Sequence, residues 1–170
     1  MLRLSRIIFL MSACSLLGGC FVSQEPLLTA AQADYPFPAR SQFASYAFDT
    51  NKRGADGTLT RQGDHYVFED ASGKKSILFK LVGDRLLVAQ VQTDDRYTYD
   101  LIASDGKTAA AFNFQCDPER DMIPADRAPT GGTSFEVTCT VTSLEQVVHL
   151  FGERMAQHAK PKTKYVLIPG

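Results

Sequence analysis

From about Phe43 onward, apolar residues recur at every second position. Tyr66 and Phe68 alternate with His65, Val67 and Glu69, and the rows Ile77, Phe79, Leu81 and Leu87, Ala89, Val91 follow. Tyr97, Tyr99 and Leu101 alternate with Arg96, Thr98 and Asp100; then come Ala110, Phe112, Phe114, Cys116 and, later, Phe135, Val137, Cys139, Val141. A period of two marks strands with one buried face. Between the rows lie Ala55-Asp56-Gly57, Gln62-Gly63-Asp64, Ser72-Gly73, Gly83-Asp84, Thr93-Asp94-Asp95 and Asp105-Gly106. Gly and Asp in these positions supply the positive φ of tight hairpin turns. Short strands joined by short turns predict an antiparallel meander of about 7–9 strands. Closure into a small barrel, or strong curvature, would remove the exposed edges such a meander carries.

Two segments break the pattern. Asp117 to Gly132 holds three prolines and reads as a long loop. Near the C-terminus the period becomes 3.6: Leu144, Val147, Val148, Phe151 and Met155 form one stripe. Ser143 is a fitting N-cap, with Gln146 three residues on as in a capping box, so a helix is expected over about 143–159, ending before Pro161. Packed over an open end or face of the sheet, it would hide apolar surface. Lys164 to Ile168 reads as a final strand.

The first twenty residues follow other rules. Arg3 and Arg6 precede an apolar run of eleven residues, Ile7 to Leu17, and then small residues lead to Cys20. A charged start, a short apolar middle and a small-residue exit make a secretory signal. Eleven helical residues reach about 16 Å, roughly half of a hydrocarbon core of about 30 Å, so a permanent span is a poor alternative. Leu17-Gly18-Gly19-Cys20 resembles the lipobox of bacterial lipoproteins. That resemblance covers the first twenty residues and implies a diacylglycerol on the Cys20 thiol, removal of residues 1–19 and acylation of the new amine. Gly18 stands where Ala or Ser is commoner in that family. Phe21, not being Asp, implies sorting to the outer membrane, facing the periplasm. Two or three acyl chains hold durably where one holds marginally.

Processing changes the accounting. The mature chain would have 151 residues and a net charge of −3. Residues 20–40, with Pro26, Pro36 and Pro38, read as a lipidated N-terminus and tether, although Tyr35 and Phe37 are expected to pack on the domain edge. Residues 41–170 read as a single β-rich domain. Cys116 and Cys139 remain as an even pair in an oxidising compartment, and both fall on apolar rows. A Cys116–Cys139 bridge closes 24 residues and would stabilise by roughly 3–3.5 kcal/mol in the chain-entropy account.

Composition narrows the function without naming it. At 44% apolar, 22% charged and near-neutral charge, the chain has an ordinary globular composition, and no basic surplus points to nucleic acid. His65, His149 and His158 share no ligand spacing, so no metal and no cofactor are expected. No nucleophile elbow, zinc-protease helix or phosphate loop occurs, so no catalytic residue is assigned and the chain is read as non-enzymatic. The aspartates of the turns read as turn formers rather than calcium ligands. Tyr66, Tyr97, Tyr99 and Phe112 are the candidate wall of a pocket, since a buried Tyr hydroxyl needs a partner.

Three functions fit. The first is a lipid-anchored envelope protein whose β-domain binds an envelope protein or plays a structural part. The second is a lipocalin-like carrier of a small apolar ligand, an analogy of architecture alone. The third is an inhibitor of lysozyme: small lipid-anchored, disulfide-bonded barrels with that activity carry a Ser-Gly inhibitory loop, and Ser72-Gly73 is similar. Lys74-Lys75-Ser76 departs from that family's pattern. The partners expected are the membrane, through covalent lipid, and an envelope protein or a small apolar ligand.

Overall fold

The computed structural model describes residues 21–129 and 135–168. A short strand β1 (Phe21–Ser23) and a turn of 3-10 helix (Ala30–Gln32) precede seven strands: β2 (Arg40–Ala47), β3 (Arg53–Gln62), β4 (His65–Asp70), β5 (Gly73–Gly83), β6 (Leu86–Gln92), β7 (Tyr97–Ser104) and β8 (Thr108–Phe112). A helical turn α1 (Pro118–Asp121), strands β9 (Ala125–Pro129) and β10 (Phe135–Thr140), helix α2 (Leu144–Ala156) and strand β11 (Thr163–Ile168) complete the chain.

Strands β2 to β8 form an antiparallel meander, as the turn chemistry predicts. β11 enters between β8 and β2, antiparallel to both, and β6 pairs with β7, so eight strands close into a barrel. Closure gives each barrel strand a neighbour on both sides, which removes the free edge strand that would otherwise template aggregation. The two ends of the barrel differ. One end carries the turns after β3, β5 and β7, and there the incoming segment 34–39 plugs the barrel, with the Tyr35 hydroxyl donating to Asp64 O at 3.0 Å and Leu81 N donating to the Asp34 carboxylate at 2.8 Å. Asp34 bridges to Phe79 in the β-ladder manner, and Phe37 packs edge-on against Phe43, Tyr66 and Phe79. Arg61 lies over the Tyr35 ring at 3.6 Å, adding a cation–π contact to the plug. The expected packing of Tyr35 and Phe37 on the domain edge is therefore found. The other end is the mouth, ringed by the β2–β3, β4–β5 and β6–β7 connections.

β7 is shared between two layers. Its Leu101–Ser104 half pairs with β8, while Thr98 and Tyr97 pair with Val22 and Ser23 of β1. β1 runs parallel to β10, and β10 antiparallel to β9, so a three-stranded arm branches from the barrel. Between this arm, α2 and the outer faces of β6–β8 lies a second core containing Phe21, Val88, Tyr99, Leu101, Phe112, Phe114 and Phe151.

Helix α2 begins as its sequence requires: the Ser143 hydroxyl accepts from Gln146 N at 3.1 Å. The Gln146 amide reaches back one residue further than a capping box does, accepting from Thr142 N at 2.9 Å. The helix stops at Ala156, short of the expected 159, where His158 turns left-handed at φ 60°. Its buried stripe is Val147, Leu150, Phe151 and Arg154, the last held there by a buried ion pair with Asp121.

Four further expectations are corrected. Ala55-Asp56-Gly57 is strand, not turn: Gly57 is small because a Cβ there would overlap the Phe68 ring inside the barrel. The reversal falls earlier, around Asn51 at φ 51°. The stretch Asp117 to Gly132 is not bare loop but carries α1 and β9. Cys116 follows the end of β8 rather than lying in a strand, and β8 does not pair with β10, yet the bridge to Cys139 is made with a Cα separation of 5.6 Å. Finally, residues 21–40 are not a free spacer: Phe21, Val22, Ser23 and Leu28 are all buried.

Candidate functional site

The interior of the barrel is lined almost wholly by apolar residues, and it retains a cavity of about 60 Å³ walled by Phe43, Phe68, Phe79, Ala89, Val91, Tyr165 and their neighbours. Nearly all the volume is filled by side chains, as expected for eight strands. What distinguishes the interior is a carboxylic acid. Asp100 pairs with Ala89, and Ile102 follows it on the same face of β7; both line the cavity, so the Asp100 side chain faces inward. It is only 3% exposed, and its Oδ2 has no hydrogen-bond partner. Burial pushes its pKa up to about 7, with Lys75 pulling in the opposite direction. Lys75 pairs with Phe68 and so shares the inward face, half-buried at the mouth.

Thr98, two residues before Asp100 on the same face, is also buried with an unpartnered hydroxyl. Tyr165 completes the group from β11, with its ring edge-on to Phe68 at 6.2 Å. Its phenol is pushed above the usual range, first by burial and then by the negative fields of Asp100 and Asp70. Asp100 and Thr98 of β7, Lys75 of β5 and Tyr165 of β11 thus place polar groups on the inward faces of their strands, while the cavity wall itself is apolar. The alternation of β7 conceals this, because both faces of β7 are buried, one against the barrel interior and the other against the second core.

The same ambiguity misplaces three of the four pocket residues suggested by the sequence. Only Tyr66 belongs to the barrel interior, where its hydroxyl donates to Phe37 O at 2.6 Å in the plugged end. Tyr99 and Phe112 lie in the second core, and half-buried Tyr97 packs against it. The inward row of β8 is instead Ala109 and Ala111. Tyr99 spends its hydroxyl on Ser23 Oγ at 2.6 Å and Gln90 Oε1 at 3.2 Å, and burial holds its pKa above the ordinary value.

Ser72 and Gly73 lie on the exposed β4–β5 turn at the mouth. Asp70 Oδ1 accepts from both Ser72 N, at 2.7 Å, and Ser72 Oγ, at 2.5 Å, and Gly73 adopts φ 125°. Cys20 lies outside the described residues. Among the described residues no cluster of three His, Cys, Asp or Glu side chains is placed to hold a metal, and no helix is long and apolar enough to cross a membrane. His65 meets Asp64 and His149 meets Glu153, both pairs at the surface.

Compared with protein-family models, with curated proteins and with solved structures, the chain matches none.

Proposed function

We propose that this chain is an exported lipoprotein of the cell envelope, anchored by acyl groups on Cys20, whose barrel acts as a non-enzymatic binding or structural module. The observation that carries the reading is the Cys116–Cys139 disulfide. Disulfides of this kind belong to oxidising compartments, the destination to which a signal ending at Cys20 would deliver the chain. Export and bridge are read from different parts of the sequence and agree.

The filled interior weighs against the carrier alternative. A drug-sized ligand needs a pocket of roughly 300 Å³ or more, and the cavity here is about 60 Å³. Among the described residues, the large apolar side chains exposed at the surface, Phe48, Leu81 and Met122, lie at the mouth, at the plugged end and beside α1. A protein partner would therefore meet a mainly polar surface. The inhibitor alternative is favoured by one observation, the exposed Ser72-Gly73 turn at the mouth. Added lysozyme would then lose activity, and Ser72→Ala would restore it.

Radiolabelled palmitate and membrane fractionation test the anchor. Wild type should incorporate label and sediment with membranes, and Cys20→Ala should do neither. Unchanged processing and labelling of the variant would refute it. Crosslinking and pull-down of the lipidated protein from its own envelope tests the module; recovery of no specific protein would count against binding.

A further inference from the structure

A lipoprotein is usually pictured with slack between lipid and domain. Here the slack is absent. Phe21, the residue after Cys20, is 1% exposed, packs edge-on against Phe151 at 5.9 Å and pairs with Cys139. The residues after it are strapped down as well. Val22 pairs with Thr98 on one side and Thr140 on the other, and Gln90 holds the backbone of Leu27 and Leu28. Only one peptide step, about 3.8 Å between Cα atoms, separates an acylated Cys20 from a buried strand.

Resting on the anchor reading above, we infer that the β1–β10–β9 arm of the barrel lies directly against the lipid leaflet in a fixed orientation. The length of chain outside the fold and the place where it ends argue for this occupant: acyl chains attached one residue before Phe21 insert beside β1. One surface feature fits. Val22 pairs with Thr140, whose N–H donates to Pro124 O at 2.8 Å, and two residues before Pro124 stands Met122. Met122 is 87% exposed and left-handed at φ 49°, between buried Asp121 and buried Ile123. A non-Gly residue in that conformation carries a backbone cost, and here it holds an apolar side chain outward on the flank that the anchor turns toward the bilayer. The opposite wall, β3 and β4, would face away.

The test uses full-length lipidated protein in vesicles of phosphatidylethanolamine and phosphatidylglycerol that carry a headgroup acceptor dye. A donor dye is placed by Glu119→Cys on the arm side, or by Glu69→Cys on the far wall. Energy transfer should be higher from position 119 than from position 69. A Gly/Ser insertion of roughly fifteen residues between Cys20 and Phe21, with an r.m.s. reach of about 20 Å, should abolish that excess. Equal transfer without the insertion, while the protein still floats with the vesicles and carries palmitate, overturns the fixed orientation and leaves the anchor standing. Failure to float or to carry palmitate overturns both.

Discussion

Gln90 grips Leu28 with both ends of its side-chain amide: Oε1 accepts from Leu28 N at 2.8 Å, and Nε2 donates to Leu28 O at 2.9 Å. Oε1 also takes Leu27 N at 2.9 Å. One side chain of β6 thereby satisfies three backbone groups of a segment that has no ladder of its own at that point. Buried polar groups left without partners cost about 1–3 kcal/mol each. Gln90→Leu should therefore destabilise by a few kcal/mol and expose residues 24–33 to protease well before global unfolding. Limited proteolysis with mass mapping reads this directly; cleavage no faster than wild type would show that the strap holds by other means.

The bridge from Cys116 to Cys139 ties the segment after β8 to the strand beside β1. Cys116→Ser should lower the unfolding free energy by about 3 kcal/mol, seen as a lower urea midpoint under non-reducing conditions. Reductant should move wild type toward the variant and leave the variant unmoved.

Asp100 gives the barrel a pH dependence of definite sign. Its folded pKa, about 7, lies above the ordinary 3.8. The folded state therefore holds a proton that the unfolded state releases, and the stability due to that proton is full below 3.8 and is lost as pH rises through about 7. Asp100→Asn should flatten the decline and make the variant more stable than wild type at about pH 8, by an amount on the order of a few kcal/mol. Urea unfolding at about pH 5 and about pH 8 measures it. Asp34, Asp64 and Asp105 have lowered values and act below that window.

Arg154 and Asp121 form a buried pair, with Nη2 lying 2.7 Å from each carboxylate oxygen. The pair locks α1 to α2. Removing one partner leaves a buried charge, which typically costs 3–5 kcal/mol. Arg154→Met should destabilise strongly, and adding Asp121→Asn should recover much of the loss. A double-mutant cycle by urea unfolding checks this, and simple additivity would argue against the coupling.

The barrel was legible because period two and Asp/Gly turns are local signals, and β2 to β8 are connected by short reversals. Its closure was less so. β11 reaches β2 across more than a hundred residues, and only a short apolar run announced it. The site was obscured for a different reason. In β6, β7 and β8 both faces are buried, so alternation shows two rows but not which one faces inward. Size then misleads: large Phe112 and Tyr99 go to the outer layer, while Ala109, Ala111 and Asp100 face the interior. Asp100 itself read as the polar half of an ordinary strand. Gly57 misled in the other direction, since glycine made small for a neighbouring ring looks the same in sequence as glycine made for a turn.

The seam between β2 and β11 has a consequence for biogenesis. Thr163 through Ile168 must find Ala47 back to Gln42 before the cylinder is complete. If the chain is exported amino end first, as proposed above, the β11-side edge of β2 stays unpaired until β11 itself has crossed. During that interval a chaperone, or a neighbouring nascent copy, would compete for the vacant edge, and the speed of crossing would set how long the competition lasts.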